Sequence, residues 1–453
     1  MDRTGRGHAI CDLFVRTNPD VTVYYGPGCD VVEHDRIVPV PSISVADPRT
    51  ALDFLATTPV EFVLVSHIDA LCAGYVDELR EAGHAVIGPT AAAAELESSK
   101  ARGKEFCLDH GIPIPEFGVF TDAAEARAHI RALPHQCVVK IDGLTPNGDG
   151  SVVCSTAAEA EAAVDAFAAA GGPLRLVVEE RLTGPEVSVF ALLAGGTAMM
   201  LPLALDYKRA LEGDAGKNCD GMGSVAPHPA DSPALRAELR AALVDPLVRG
   251  LAAEGLDFTG FAYVGAVLTD RGPVVIEINA RFGDSEAEVV LPGVVSDFTG
   301  LCRAVLAGEL DRHDLAVDGL ARCSVALVQG CLDPTDPEAL PGWPFGPFAD
   351  RQPVRGLDKV DPLRAKVFHA EIARDAGGSP VTRGGRVVHV VGAGATSAEA
   401  RRRAYEQVGH IEFAGMRYRA DIGAVGADRG RPPAGDDQGR SAVAGLAPIL
   451  SQG

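Results

Sequence analysis

Residues Val274–Asp284 read VVIEINARFGD, and this stretch decides the fold. On a strand, successive side chains point to opposite faces. Glu277, Asn279 and Arg281 therefore share one face, and Val274, Ile276, Ile278 and Ala280 the other. A carboxylate, an amide and a guanidinium in a row are costly to bury unless each has a partner. Oxygen donors from Glu277 and Asn279 suit Mg²⁺, which takes one or two protein oxygens alongside water and phosphates. Arg281 carries the fork that holds a carboxylate by two parallel hydrogen bonds. A solvent-facing polar strand face is the alternative that this pattern alone leaves open.

Outward from that strand, Phe261–Thr269 and Pro273–Asn279 read as a hairpin turning at Asp270–Gly272. Upstream, Ala234–Gly255 has the length and apolar period of a helix. Residues 206–229 form a polar, glycine-rich loop holding Asp206, Lys208, Asn218, Gly221 and Gly223. Loops of that length are uncommon unless functional or disordered. Leu174–Glu180, Glu186–Gly195 and Met199–Leu205 are strand-like, and Glu179, Glu180, Leu182 and Glu186 lie at or just beyond the first turn between them. Gln136–Ile141 is a strand carrying Lys140, and a loop with Gly148 and Gly150 follows. Backbone N–H groups of such loops can enclose phosphates, although many are plain turns. Ser98–His110 is a helix with Lys100 and Lys104 on one face.

Residues 20–97 alternate short strands with helices, which implies a parallel α/β sheet. Ligands of such sheets sit beyond the carboxyl ends of the strands. The chain opens at Gly5-Arg6-Gly7-His8 on a turn and helix without a preceding strand, so a first strand upstream of residue 1 is expected. The expected organisation is an α/β region over 1–97, a two-halved central region over 98–315 dividing near 175–182, a mixed α+β region over 316–423, and a disordered tail over 424–453.

Composition excludes several function classes. The 453 residues are 47% hydrophobic, and 41 Lys+Arg against 62 Asp+Glu give a net charge of −21. A broad nucleic-acid or anionic-membrane surface is disfavoured by that balance. No apolar run approaches the roughly 18 residues of a membrane helix, and no signal-peptide pattern opens the chain. Ten scattered cysteines without a CxxC pair read as reduced thiols, which points to the cytoplasm. Only seven basic residues are lysines, and five of them fall between residues 100 and 217. Surface drift would give such clustering, and so would a site built from compact ammonium charges.

Taken in order, Ser99-Lys100 to Lys104, VVKIDGL, VVEERLTGPEVS, DYKR, GKNCDGMG, FTGFAYVG and VIEINARFGDSEAE resemble the ATP-grasp ligases of glycinamide ribonucleotide synthetase type. GPTAAAAELESSK before them, and KVFHA, GGRV and RAYEQVGHIEF after them, extend the resemblance to about Gly423. It implies an ATP-grasp fold, ATP and Mg²⁺ (or Mn²⁺) as cofactors, and an amide formed from a carboxylate and an amine through an acyl phosphate. On that resemblance Lys104, Lys140, Gly148 and Gly150 contact phosphates. Glu179–Leu182 line the adenine, and Glu186 takes the ribose. Glu277 and Asn279 hold the metal. Arg281, Gly283 and Asp284 orient a glycine-like carboxylate, while Asp206, Lys208 and the loop with Asn218, Gly221 and Gly223 close over the reacting groups. The implied partners are small molecules, with no nucleic acid and no membrane, and the implied state is a monomer or weak homodimer.

The sequence also departs from the family pattern. Asp149 stands where the family's ATP loop has a lysine between glycines. Pro27-Gly28-Cys29-Asp30 replaces a glycine-rich loop, and Ser66-His67-Ile68-Asp69-Ala70 replaces a Gly-Pro-Glu-Ala-Pro motif, which makes His67 and Asp69 candidate substrate contacts. These loops belong to the amine half, so an altered amine in specialised metabolism is expected. The housekeeping phosphoribosylamine–glycine ligase of purine biosynthesis is the alternative. A nucleotide-binding protein without turnover is a third reading, motivated by Asp149. A dinucleotide-binding dehydrogenase has only Gly5-Arg6-Gly7 in its favour.

Overall fold

The computed structural model describes residues 1–134, 136–145, 150–330 and 350–424. Gly148, Asp149 and the tail beyond Ala424 lie outside these residues. The expected hairpin forms from Phe258–Thr269 and Gly272–Asn279. Phe258–Thr269 is apolar along most of its length and buried over most of it, as a strand covered on both faces must be. It pairs antiparallel with Glu186–Ala194, which in turn pairs with Thr197–Met200.

At its start, Phe258–Thr259 pairs antiparallel with Gly88–Pro89 of the N-terminal region. Strands of residues 1–97 thus continue the central sheet. Within that region the parallel pairing expected from the sequence is present twice, as Val63–Leu64 with Val86–Ile87 and Val23–Tyr25 with Ile37–Pro39. The place of a strand before helix Gly5–Thr17 is held by Met1–Asp2. The Met1 amine donates to Leu64 O at 2.6 Å, and Asp2 bridges to Pro27 on the other side.

A separate four-stranded sheet, in the order Phe117–Phe120, Leu176–Glu180, Cys137–Ile141, Ser151–Cys154, faces the central sheet across a cleft. Helices Ala123–Ala132 and Ala157–Ala169 cover its outer side, each started by a side-chain cap from Asp122 or Thr156. The third region is a sheet of Ala321–Gln329, Arg386–Gly394 and Ala365–His369 under helix Ser397–Val408.

Two expectations change. The helix expected over Ser98–His110 begins at Lys100, because Ser99 is an N-cap whose hydroxyl accepts from Arg102 N–H at 3.1 Å. The loop expected over 206–229 holds four short strands, Leu205–Asp206, Arg209–Leu211, Ala215–Asn218 and Gly223–Ala226. The middle two form a hairpin, and Gly223–Ala226 pairs with Arg322–Val325. A partner a hundred residues away holds the last of these strands, and no local period announces it.

Candidate active site

A cleft of about 1670 Å³ runs between the four-stranded sheet and the central sheet and continues towards residues 27–45 and 66–69. Lys104, Lys140, Gly150, Glu179, Glu180, Leu182 and Glu186 line one end. Asp206, Lys208, Glu277, Asn279 and Arg281 line its middle. Asn218, Gly221, Asp284, His67 and Asp69 line it further on.

At the first end two lysines converge on one carboxylate. Lys140 Nζ lies 2.6 Å from Glu179 Oε1, and Lys104 pairs with the other oxygen. Burial raises the Glu179 carboxyl, but Lys140 and Lys104 outweigh it and hold the group below its ordinary range. Glu179, expected along the adenine, instead turns its side chain between the lysines. Glu180 is held by Arg271 at 2.9 Å. A polyanionic phosphate chain fits here, because it can displace a single carboxylate as the partner of both ammonium groups.

The strand face read from the sequence is intact but interrupted once. Between Gly265 and Ala266 the hairpin register shifts, so Ile276 is an extra residue opposite none. The bulge leaves the Ile276 side chain only half-buried and points its carbonyl at Lys140 Nζ, which donates at 3.1 Å. Glu277 Oε1 accepts from Lys208 Nζ at 2.9 Å, with Glu186 3.6 Å from the same ammonium. Burial pulls the Glu277 carboxyl up, but Lys208, with Lys140 and Lys100 beyond it, lowers it to about 2. Asn279 is buried beside it, with its Nδ2 lacking any partner. An anionic oxygen and an amide on one strand face, next to lysines suited to phosphates, are donors that could hold Mg²⁺.

Arg281 is fixed from behind by Glu97, which the sequence analysis did not single out. Arg281 Nε donates to Glu97 Oε1 at 3.0 Å, and Ala280 N–H donates to Glu97 Oε2 at 2.7 Å. Glu97 sits one residue from the end of helix Ala91–Ser98. A negative charge there opposes the helix dipole, and that local mismatch was the available signal.

Asp206 accepts from Ser285 Oγ at 3.1 Å and from Ser224 Oγ at 3.3 Å. Burial first, and then the neighbouring Glu286 carboxylate, push its carboxyl well above the ordinary range. Glu286 itself accepts from Ser188 Oγ at 3.2 Å and is raised by burial. Ser285 holds φ at 119°, a left-handed conformation rare outside glycine, which aims its hydroxyl at Asp206. A Cβ on Gly221 would come 2.3 Å from Asp206 Oδ1, so glycine makes room for this pair.

Two predicted glycines do not line the cleft. Gly223 lets its strand approach Ser324 O, and Gly283 leaves space for Glu286. Asp284 Oδ2 holds Arg386 at 2.8 Å. His67 caps helix Ile68–Cys72 by accepting from Asp69 N–H at 3.3 Å, and burial lowers its basicity. Cys219 is buried and its thiol is pushed up to about 12 by burial and then Asp220, which removes it as a nucleophile. Among the described residues no helix is long and apolar enough to cross a membrane.

Comparison with known proteins agrees with this geometry. The chain matches the phosphoribosylglycinamide synthetase N domain over residues 1–97, the ATP-grasp (A) domain over residues 98–287 and the C domain over residues 339–425. It is 36% identical to a phosphoribosylamine–glycine ligase of Vibrio cholerae, over 92% of this chain and 96% of that protein. The crystal structure of the phosphoribosylamine–glycine ligase of Thermotoga maritima superposes with a TM-score of 0.75 at 28% identity, covering 92% of this chain and 97% of that one. The biotin carboxylase domain of a Hydrogenobacter thermophilus 2-oxoglutarate carboxylase shares the fold alone, at a TM-score of 0.65 and 16% identity over 92% of this chain and 90% of that one. By these matches the chain belongs to the phosphoribosylglycinamide synthetase family, and it is an ATP-grasp, ADP-forming C–N ligase that uses ATP and Mg²⁺.

Proposed function

We propose that the enzyme joins a glycine-like amino acid through its carboxylate to an amine other than phosphoribosylamine. ATP, when bound, supplies the phosphoryl group that turns the carboxylate into an acyl phosphate, and Mg²⁺ on Glu277 and Asn279 offsets phosphate charge. Lys104 and Lys140 steady the phosphates, and Arg281, braced by Glu97, orients the substrate carboxylate. Lys208 faces the same point and stabilises charge on the transferring group. The amine sheds a proton on attack. Asp206, its carboxyl raised by burial and then by Glu286, is placed to accept it.

The observation that carries the altered amine is the charge of the far half of the cleft. Asp30, Asp69, Asp220 and Glu371 line it. Arg6 is engaged by Asp2 at 2.9 Å and Arg386 by Asp284 at 2.8 Å. Beside these carboxylates a phosphate-bearing amine is less favoured than a cationic or neutral one.

A second reading keeps phosphoribosylamine itself. It is favoured by the 36% identity over 92% of the chain, and by exposed Arg3 and Arg383, which line the cleft and could receive a phosphate. One experiment separates them: ADP release and product mass with Mg-ATP and glycine, against phosphoribosylamine and a panel of cationic and neutral amines. Efficient glycinamide ribonucleotide formation removes the altered-amine reading. Turnover only with other amines removes the second.

A further inference from the structure

At the far half of the cleft, three side chains, one at its lining and two fully buried behind it, each have one polar atom satisfied and one bare. Asp284 Oδ2 accepts from Arg386 at 2.8 Å, while its Oδ1 has no partner. Glu288 Oε2 accepts from Ser285 N–H at 3.3 Å, while its Oε1 has none. His389 Nδ1 meets Ser324 Oγ at 3.4 Å, while its Nε2 has none. Glu288 and His389 are fully buried.

The three bare atoms face one another. His389 Nε2 is 3.9 Å from Asp284 Oδ1 and 3.9 Å from Glu288 Oε1. These separations are shorter than two zinc–ligand bonds of about 2.0–2.2 Å each, so a single ion reaches across both. Helix Gly5–Thr17 closes the space from its first residue, since a Cβ on Gly5 would lie 2.3 Å from Glu288 Oε1. The outer atoms are held as ligand-orienting partners hold them: a serine on the far imidazole nitrogen, an arginine and a backbone N–H on the far carboxylate oxygens.

We propose that Asp284, Glu288 and His389 form a binding site for one divalent transition-metal ion of the zinc class, separate from the magnesium donors Glu277 and Asn279. Two carboxylates and a neutral imidazole are a zinc or manganese donor set rather than a magnesium one. Contacts place both nitrogens of the buried imidazole, Nδ1 at Ser324 and Nε2 towards the two carboxylates. A proton shared between the two carboxyls would satisfy only two of the three bare atoms. One cation satisfies all three. The ion would tie the loop after Arg281 to strand Arg386–Gly394 of the third region, and so fix Asp284 and its partner Arg386 at the floor of the cleft.

The test uses the full chain, purified without chelator and analysed for metal by mass spectrometry, then stripped and titrated with Zn²⁺ in the presence of excess Mg²⁺. Stoichiometric zinc and a zinc-dependent rise in Tm are expected. Glu288→Gln and His389→Asn each weaken zinc binding by about 10–100-fold or more. Glu277→Gln leaves it unchanged. Glu288→Gln is near-isosteric and its amide can donate to Asp284, so it remains folded without metal and isolates the ligand effect. Absence of zinc together with no zinc-dependent rise in Tm in the unaltered protein overturns the proposal and assigns the space to water or a shared proton. Zinc binding that survives both ligand variants, or that is lost with Glu277→Gln, overturns it as well.

Discussion

Lys208 Nζ lies 2.9 Å from Glu277 Oε1, so an ammonium from the link between two short strands neutralises the carboxylate of strand Gly272–Asn279 at the middle of the cleft. On the proposed function, each group here holds the charge partner that nucleotide and metal would supply. Glu277→Gln therefore lowers turnover by about 100-fold or more, read as ADP release at saturating Mg-ATP. It also changes acid stability in a defined direction. The Glu277 carboxyl is depressed from 4.5 to about 2, so its stabilising contribution is present above pH 4.5 and is lost as pH falls towards 2. Thermal unfolding across that window shows a shallower pH slope for Glu277→Gln than for the unaltered protein.

Asp206→Asn separates the chemical step from binding. A raised carboxyl acting as base is active only once deprotonated, so kcat rises with pH through its displaced pKa. The variant loses that rise, and kcat falls by about 10²–10⁴-fold. ATP affinity, measured by equilibrium titration, stays within a factor of a few because Asp206 lies away from Lys104 and Lys140.

Glu97→Ala leaves the largely buried Arg281 without its nearest counter-charge. Breaking one side of such a buried pair costs about 3–5 kcal/mol, visible as a lower urea midpoint. Glu97→Gln keeps the shape and one hydrogen bond, so it is expected to remain folded while raising KM for the amino-acid substrate more than KM for ATP.

Gly221→Ala pushes a methyl group to 2.3 Å from Asp206 Oδ1 and 2.5 Å from Ser285 Oγ. Overpacking of that kind costs about 1–3 kcal/mol, and here it also displaces the proposed base. Gly409→Ala is the control. Its φ is −63° and nothing lies within 4 Å of an added Cβ, so stability holds or rises by about 0.4–1 kcal/mol.

The legible parts of this protein were those whose reason is local. Alternation along Val274–Asp284 placed Glu277, Asn279 and Arg281 on one face, and the two apolar runs around Asp270–Gly272 announced their hairpin. The bulge at Ile276 was invisible, because it depends on the register of the opposite strand. Glu97 was missed for the same reason, since its partner Arg281 is 184 residues away. Of the four short strands within 205–226, Gly223–Ala226 draws on pairing with Ala321–Gln329, which no window of the loop itself contains, and Leu205–Asp206 then pairs with Gly223–Ala226. The lysines were countable at once, but their convergence on Glu179 is a property of the folded sheet.

Strand Val86–Pro89 hydrogen-bonds into Phe258–Thr259, and the apolar cluster beneath joins Leu71, Phe106, Val187, Leu243 and Val275. Residues 1–97 therefore lack folding autonomy. Severed from the rest, they would expose an unsatisfied strand edge and half of a shared interior. On the proposed function, a change of amine falls to the loops at the rim, because the layer below them is shared with residues beyond 97.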